Sequence, residues 1–336
     1  MSYKKNIAII AGGYSSEIII SLKSAQGIRS FIDSDKYNLA IVLITEKQWL
    51  CYPGSLMDKV DDVSVGIEVD KNDFSVQFAD EKIKFDFAYI TIHGTPGENG
   101  LLQGYFDMLN IPYSCCGVLA SSLTFSKYFC NKFLQSFGVK TASSVCLRKN
   151  QSIDDRTIVE TLGLPVFVKP NDGGSSFATT KVSLESELQD AIRLAFEEGS
   201  EVIIESFMPG TEVTCGCYQV GEKLTVFPIT EVVSKNEFFN FDAKYNPQSV
   251  EEITPARISD ELTAEIKTLT GNIYHWIGAR GIIRVDYIIS PEGEVRMLEV
   301  NTTPGMTTTS FIPQQIKAAG LNISEVMTEI IENESN

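Results

Sequence analysis

Apolar runs alternate with amphipathic stretches through the first third of the chain. Residues 7–10 are a short β-rich run that ends at Gly12-Gly13. Residues 21–32 then carry Leu22, Ala25, Ile28 and Phe31 or Ile32 at helical spacing. Residues 37–44 and 85–92 are further apolar runs of strand length, and residues 100–109 read as a helix. This alternation predicts an α/β fold whose parallel sheet is covered on both faces.

The pattern changes downstream. Residues 121–137 read as helical, and 165–169 as a strand running into a polar glycine-rich turn. Residues 184–198 place Leu184, Leu188, Ile192 and Ala195 on one helical face, and 201–207 read as a strand closed by Pro209-Gly210. The last third has longer period-two runs at 212–220, 224–233, 281–289 and 295–301, giving it α+β character. A long helix is expected over 259–277, and Asn322 with Glu325 three residues later signals the start of a final helix. Breaks near Gly117 and Pro209 divide the chain into 1–117, 118–209 and 210–336.

Composition adds constraints. A formal net charge of −16 opposes non-specific binding to nucleic acid or to an anionic membrane. An acidic chain that binds a nucleotide must therefore gather its cations locally or recruit metal ions. No apolar run is long enough to span a bilayer, and the N-terminal apolar run is too short for a signal peptide. Seven cysteines without framework spacing and only two histidines, His93 and His275, fit buried thiols better than disulfides or zinc. A cytoplasmic protein is the simplest expectation.

Four segments carry candidate chemistry. In 169–176 a strand ends at Lys169 and leads into Asn171-Asp172-Gly173-Gly174-Ser175-Ser176, where backbone N–H groups and hydroxyls could approach phosphate oxygens. An ordinary glycine-serine turn would look the same, and no GxxxxGK[ST] loop is present. Arg284 and Asp286 share one face of a strand, and Glu299 and Asn301 share one face of the next. Carboxylate and amide oxygens brought together this way suit a magnesium ion. Residues 301–307, Asn-Thr-Thr-Pro-Gly-Met-Thr, form a hydroxyl-rich turn at a strand end. Residues 93–100, His-Gly-Thr-Pro-Gly-Glu-Asn-Gly, follow a strand where α/β sheets bind ligands, as does the Gly12-Gly13 turn.

Together and in this order, these segments resemble the D-alanine–D-alanine ligases of the ATP-grasp superfamily, over residues 7–331. The family's GGxSxE looks like residues 12–17, its HGxxGEDGxxQG like 93–104 and its VKPxxxGSSxG like 168–178. Its EAKY resembles Asp242-Ala243-Lys244-Tyr245, and its GxxRVDF and LEVNTxPGMTxxS resemble 281–287 and 298–310. The resemblance implies an ATP-grasp fold with an N-terminal Rossmann-like domain, and ATP-driven ligation of two D-alanines. It assigns Lys127 and Lys169 to the ATP α/β-phosphates, with the 173–176 loop, which holds Gly174, Ser175 and Ser176, closing over them. Glu205 and Glu212 are assigned to adenine and ribose, and Lys244 to the nucleotide. Asp286, Glu299 and Asn301 would hold two Mg2+ or Mn2+ ions. Glu17 would receive the first D-alanine's ammonium, with His93 nearby, and Ser310 the second D-alanine's carboxylate. Arg284 and the Gly305 N–H would stabilise the oxyanion. Tyr245 would cover the site from a lid in 234–255, joined to Ser175 and Glu17. The family likeness also implies a homodimer.

Four positions depart from the family pattern: Ser126 and Asn99 replace aspartates, Ala178 replaces the last glycine of GSSxG, and Ile18 replaces a residue that is often basic. Three other readings compete: a D-alanine–D-lactate or D-serine type ligase, another ATP-grasp carboxylate–amine ligase, and a non-catalytic nucleotide sensor. The Lys244-Tyr245 pair implies an amine acceptor over a hydroxyl, and the Arg284 set speaks against a mere binder.

Overall fold

The computed structural model describes residues 3–15, 17–151, 153–172, 178–234 and 250–335. The first sheet has seven strands: β1 (Asn6–Gly12), β2 (Asn38–Ile44), β3 (Trp49–Pro53), β4 (Ile67–Asp70), β5 (Ser75–Phe78), β6 (Glu81–Lys84) and β7 (Phe87–Ile90), ordered β6-β5-β4-β3-β2-β1-β7. Only β2, β1 and β7 run parallel, and the extension from β3 to β6 is antiparallel. Helix α1 (Ile18–Phe31) crosses from β1 to β2, and α2 (Leu101–Leu109) follows β7.

The continuous apolar run of β1 has a plain cause. Ile7, Ile9 and Ala11 join one core with Ala25 and Ile28 of α1, whereas Ala8 and Ile10 join another with Leu102 and Phe106 of α2. Both faces are covered, so neither parity of the strand can be polar. At the strand's end Gly12 has φ +103°, and a Cβ there would collide with the Ile44 carbonyl. Only glycine lets the chain turn towards the cleft at this point.

Next come α3 (Val118–Phe125), α4 (Lys127–Gln135), β8 (Ser144–Arg148), α5 (Asp155–Leu162), β9 (Val166–Pro170), β10 (Thr180–Val182), α6 (Leu188–Glu198) and β11 (Glu201–Ser206). Strands β10-β9-β11-β8 form an antiparallel sheet. The third sheet contains β12 (Thr211–Val220), β13 (Lys223–Val226), β14 (Thr230–Ser234), β15 (Val250–Ile253), β16 (Ile283–Ile289) and β17 (Val295–Asn301), ordered β15-β14-β12-β16-β17 with β13 beside β12. Helix α7 (Asp260–Trp276) precedes β16, and α8 (Phe311–Ala318) and α9 (Ile323–Glu334) end the chain. The α9 cap is the expected one: Asn322 accepts the Ser324 N–H. No helix among the described residues is long and apolar enough to cross a membrane.

Two expected elements are divided. The helix expected over 121–137 is two helices, because Ser126 leaves helical geometry at ψ 103° and its side chain accepts the Phe129 N–H as the cap of α4. The strand expected over 224–233 is β13 and β14, separated at Phe227-Pro228-Ile229, where proline has no N–H for a ladder. Helices α3 and α4 contribute Ala120, Cys130 and Leu134 to the core under the third sheet, not to the core of the second.

Ala178, where the family motif has glycine, adopts φ +52°, in the left-handed region. An L-residue held in that region carries the strain of its Cβ. Replacing Ala178 by glycine is therefore expected to stabilise the fold by about 1 kcal/mol, since a left-handed L-residue costs roughly 1–2 kcal/mol against glycine's greater unfolded-state entropy. Thermal melts test this: a lower melting temperature in Ala178→Gly would refute it.

Candidate active site

The centre of the site is a hairpin face. Strands β16 and β17 pair antiparallel with Arg284 opposite Asn301 and Asp286 opposite Glu299, and the register slips only after Asp286. All four side chains therefore leave one side of the sheet. Next to them on β12, Thr214 pairs with Asp286 in register and donates its hydroxyl to Asp286 Oδ1.

Arg284 forks onto Asp286: Nε donates to Oδ1 at 2.8 Å and Nη2 to Oδ2 at 2.7 Å. Its planar face lies against the Phe311 ring, 5.5 Å from the centroid. Burial works against the guanidinium charge, but Asp286 outweighs it, with Glu299 and Glu212 adding to the effect, so its pKa is raised. Arg284 is a fixed cation.

Asn301 Nδ2 sits between two carboxylates, 3.1 Å from Asp286 Oδ2 and 3.5 Å from Glu299 Oε1. A donor bridging two carboxylates occupies ground that suits a divalent cation. Turning the amide over would present its carbonyl oxygen instead, completing an oxygen donor set of the kind magnesium takes. Among the described residues no cluster of three or more His, Cys, Asp or Glu side chains could hold a metal. An ion here would rest on two carboxylates, one amide and substrate oxygens, an arrangement usual for magnesium beside phosphates.

Two lysines border this face. Lys127 Nζ is 3.9 Å from Glu299 Oε2. Lys169, on β9, forms a nearly buried pair with Glu205 on β11 at 2.7 Å, and Asn131 of α4 donates to the other Glu205 oxygen at 3.0 Å. Burial disfavours the Lys169 charge, but Glu205, Glu299 and Glu212 together hold its pKa above the ordinary value. The Glu205 carboxylate is thus committed to Lys169 and Asn131. Asn171 ties the second sheet to α4: its carbonyl accepts Lys127 N–H, its side-chain oxygen accepts Tyr128 N–H, and its amide reaches Ser126 Oγ at 2.9 Å.

From the first sheet come Glu17, at the start of α1, and His93, just beyond β7. His93 Nε2 faces Ser24 Oγ of α1 at 3.5 Å, and the same hydroxyl accepts Met306 N–H at 3.4 Å. Ser24 therefore links the His93 loop to the hydroxyl-rich turn. There, Ser310 Oγ accepts Thr307 N–H at 3.0 Å, and Gly305 lies against Ser310. On α1 a Cβ at Gly27 would collide with the Met306 carbonyl, so the helix approaches that turn with no room for a side chain. Gly174, Ser175, Ser176, Lys244 and Tyr245 lie outside the described residues.

The structure adds Glu98 to the residues singled out by sequence. Its Oε2 accepts Gly94 N–H at 2.7 Å, and it lies within the electrostatic reach of Glu17, Lys127 and Glu299. Burial raises its pKa from 4.5 to about 8, partly opposed by the Gly94 N–H, while Glu17 adds to the rise. In the unfolded chain Glu98 loses its proton near the ordinary value, whereas the fold retains the proton. Stability contributed here is therefore lost as pH rises from about 4.5 to about 8, and then levels off. The melting-temperature advantage of wild type over Glu98→Gln should shrink across that window. A difference constant with pH would overturn the assignment.

Comparison with known proteins points to one family. Residues 6–116 match the family model described as D-ala D-ala ligase N-terminus, and residues 133–332 match D-ala D-ala ligase C-terminus. A D-alanine–D-alanine ligase from Parabacteroides distasonis is 61% identical over 331 residues, covering 98% of both chains. One from Azobacteroides pseudotrichonymphae is 60% identical over 330 residues, covering 98% of this chain and 99% of the relative. Among solved structures, the VanG D-Ala:D-Ser ligase from Enterococcus faecalis superposes with a TM-score of 0.86 at 32% identity, over 99% of this chain and 100% of that one.

Proposed function

Since this chain belongs to the D-alanine–D-alanine ligase family, whose ATP-driven reaction joins two D-alanines for peptidoglycan precursors, we propose the following division of labour among its residues. The first D-alanine binds with its ammonium at Glu17, near His93. Its carboxylate attacks the γ-phosphoryl group of ATP; the bond to the β-phosphate oxygen breaks, and D-alanyl phosphate and ADP result. Lys127 and Lys169 neutralise phosphate charge, and Glu212 holds the ribose, so the protein mostly positions its reactants. Glu205 orients Lys169, an action supported by its 2.7 Å contact.

Asp286, Glu299 and Asn301 would hold two Mg2+ or Mn2+ ions, which when bound neutralise charge on the transferring phosphoryl group. The second D-alanine binds with its carboxylate at Ser310. Its amine, once neutral, attacks the acyl carbon and an oxyanion forms. Arg284 and the Gly305 N–H stabilise that oxygen before phosphate leaves and the peptide bond remains. The Asp286 fork and the Phe311 ring hold Arg284 still, which is the observation that carries this reading.

The test is ADP release as a function of added amino acid. Release that depends on D-alanine and on a divalent ion, with D-alanyl-D-alanine as product, is expected. Equal release with D-lactate as the acceptor would overturn the amine preference, and D-alanine-independent release would overturn the ligase roles. We also propose a homodimer formed through the N-terminal region. It is supported by Leu101 and Met108 of α2, which are 62% and 79% exposed. Sedimentation of Met108→Glu should give monomer; an unchanged dimer would refute that face.

A further inference from the structure

Strand β15 brings a carboxylate to the same side of the third sheet. Glu252 pairs with Val232 of β14, and Val232 pairs with Glu212 of β12. Paired residues project to one face, so Glu252 shares the face of Glu212 and, two residues along, Thr214. Thr214 is the residue bound to Asp286.

Glu252 is aimed by a helix. Gln314 Nε2 donates to its Oε2 at 2.6 Å and to the Thr309 carbonyl at 2.7 Å. Gln314 lies one turn into α8, and its own N–H donates to the Ser310 carbonyl at 3.3 Å. The same helix begins with Phe311, against which Arg284 lies. Glu252 reaches solvent, yet the surrounding protein raises its pKa, offset in part by Gln314 and by the nearby Arg284 guanidinium. Among the described residues its second oxygen accepts no hydrogen bond, and no lysine or arginine lies in ion-pair contact with it. A carboxylate with no ion-pair partner among the described residues thus stands near the Ser310 turn and Arg284.

We propose that Glu252, positioned by Gln314, is a specificity-determining residue for the acceptor, favouring an amino acid over a 2-hydroxy acid of the same shape. This rests on Ser310 holding the acceptor carboxylate. An amino acid arrives as a zwitterion: its carboxylate goes to Ser310, and its ammonium is attracted by a second, negative group. A hydroxy acid brings only the negative charge, which Glu252 repels. Discrimination arises from the repelled competitor as much as from the attracted substrate.

The test compares wild type, Glu252→Gln and Ser310→Ala, using D-alanine alone and D-alanine mixed with D-lactate. The glutamine keeps an oxygen for Gln314 and removes only the charge. Glu252→Gln is expected to raise the acceptor KM for D-alanine about tenfold, one 1.4 kcal/mol step, and to raise the D-lactate share of product by a similar factor. The donor KM and the melting temperature stay near wild type. A wild-type D-lactate share in Glu252→Gln overturns the proposal, because a merely structural carboxylate would be rescued by the amide. Ser310→Ala separates the underlying reading. It should raise the KM of both acceptors equally, and if it does not, the placement of the acceptor carboxylate fails instead.

Discussion

Arg284→Ala should lower kcat by about 100- to 1,000-fold while leaving the KM for ATP near its wild-type value, the range seen when one oxyanion donor is removed. The structure explains why the loss falls on turnover. Arg284 uses Nε and Nη2 on Asp286, which leaves Nη1 for a developing oxyanion. Removing the guanidinium frees one lone pair on each Asp286 oxygen, with Thr214 and Asn301 still in place, so nucleotide binding is not weakened through that route. Arg284→Lys should recover little, because an ammonium cannot fork onto Asp286 and reach outward together. Steady-state kinetics with ATP varied at saturating D-alanine decide the matter. A near-wild-type kcat in Arg284→Ala would remove Arg284 from the chemistry, and a large rise in the KM for ATP would recast it as a nucleotide ligand.

Lys169→Met carries the second large effect, and it falls on stability as well as on binding. Glu205 is buried, and its charge is balanced by Lys169, with Asn131 on the other oxygen. Taking away the cation leaves a buried carboxylate with one amide donor. Breaking such a pair from one side destabilises by about 3–5 kcal/mol. The KM for ATP should rise about 10- to 100-fold, the scale of a lost charge-assisted hydrogen bond. The double variant Lys169→Met/Glu205→Leu separates the two effects. It should recover most of the stability in urea denaturation and none of the ATP affinity. If the double variant were no more stable than the single one, the pair would not be what balances Glu205.

The parts of the site legible in sequence are the local ones. Arg284, Asp286, Glu299 and Asn301 lie on two strands joined by a short turn, so period-two alternation alone puts them on one face, and the register agrees. The parts that were not legible depend on distant register. Thr214 meets Asp286 across 72 positions, and Lys169 meets Glu205 only because β9 pairs with β11. Nothing near Glu205 in the chain announces that its carboxylate belongs to a lysine. Ser24 accepts the Met306 N–H across 282 positions and faces His93, from the middle of a helix with no local signal. The fold shows the same division. The parallel β1, β2 and β7 were readable as apolar runs, whereas β4, β5 and β6 are four-residue strands with many exposed positions and little pattern.

The Gly27 contact has a mechanical consequence. Ile7, Ile28 and Ile41 share one hydrophobic cluster with Phe227, Met306, Ile312 and Ile330, so opening a gap between the first and third sheets would expose a continuous core. The second sheet buries its own separate cluster, built from Leu147, Val168, Ile192 and Val202. Drawing the second sheet away from the other two would leave that cluster whole, so such a displacement would expose far less apolar surface than parting the first sheet from the third.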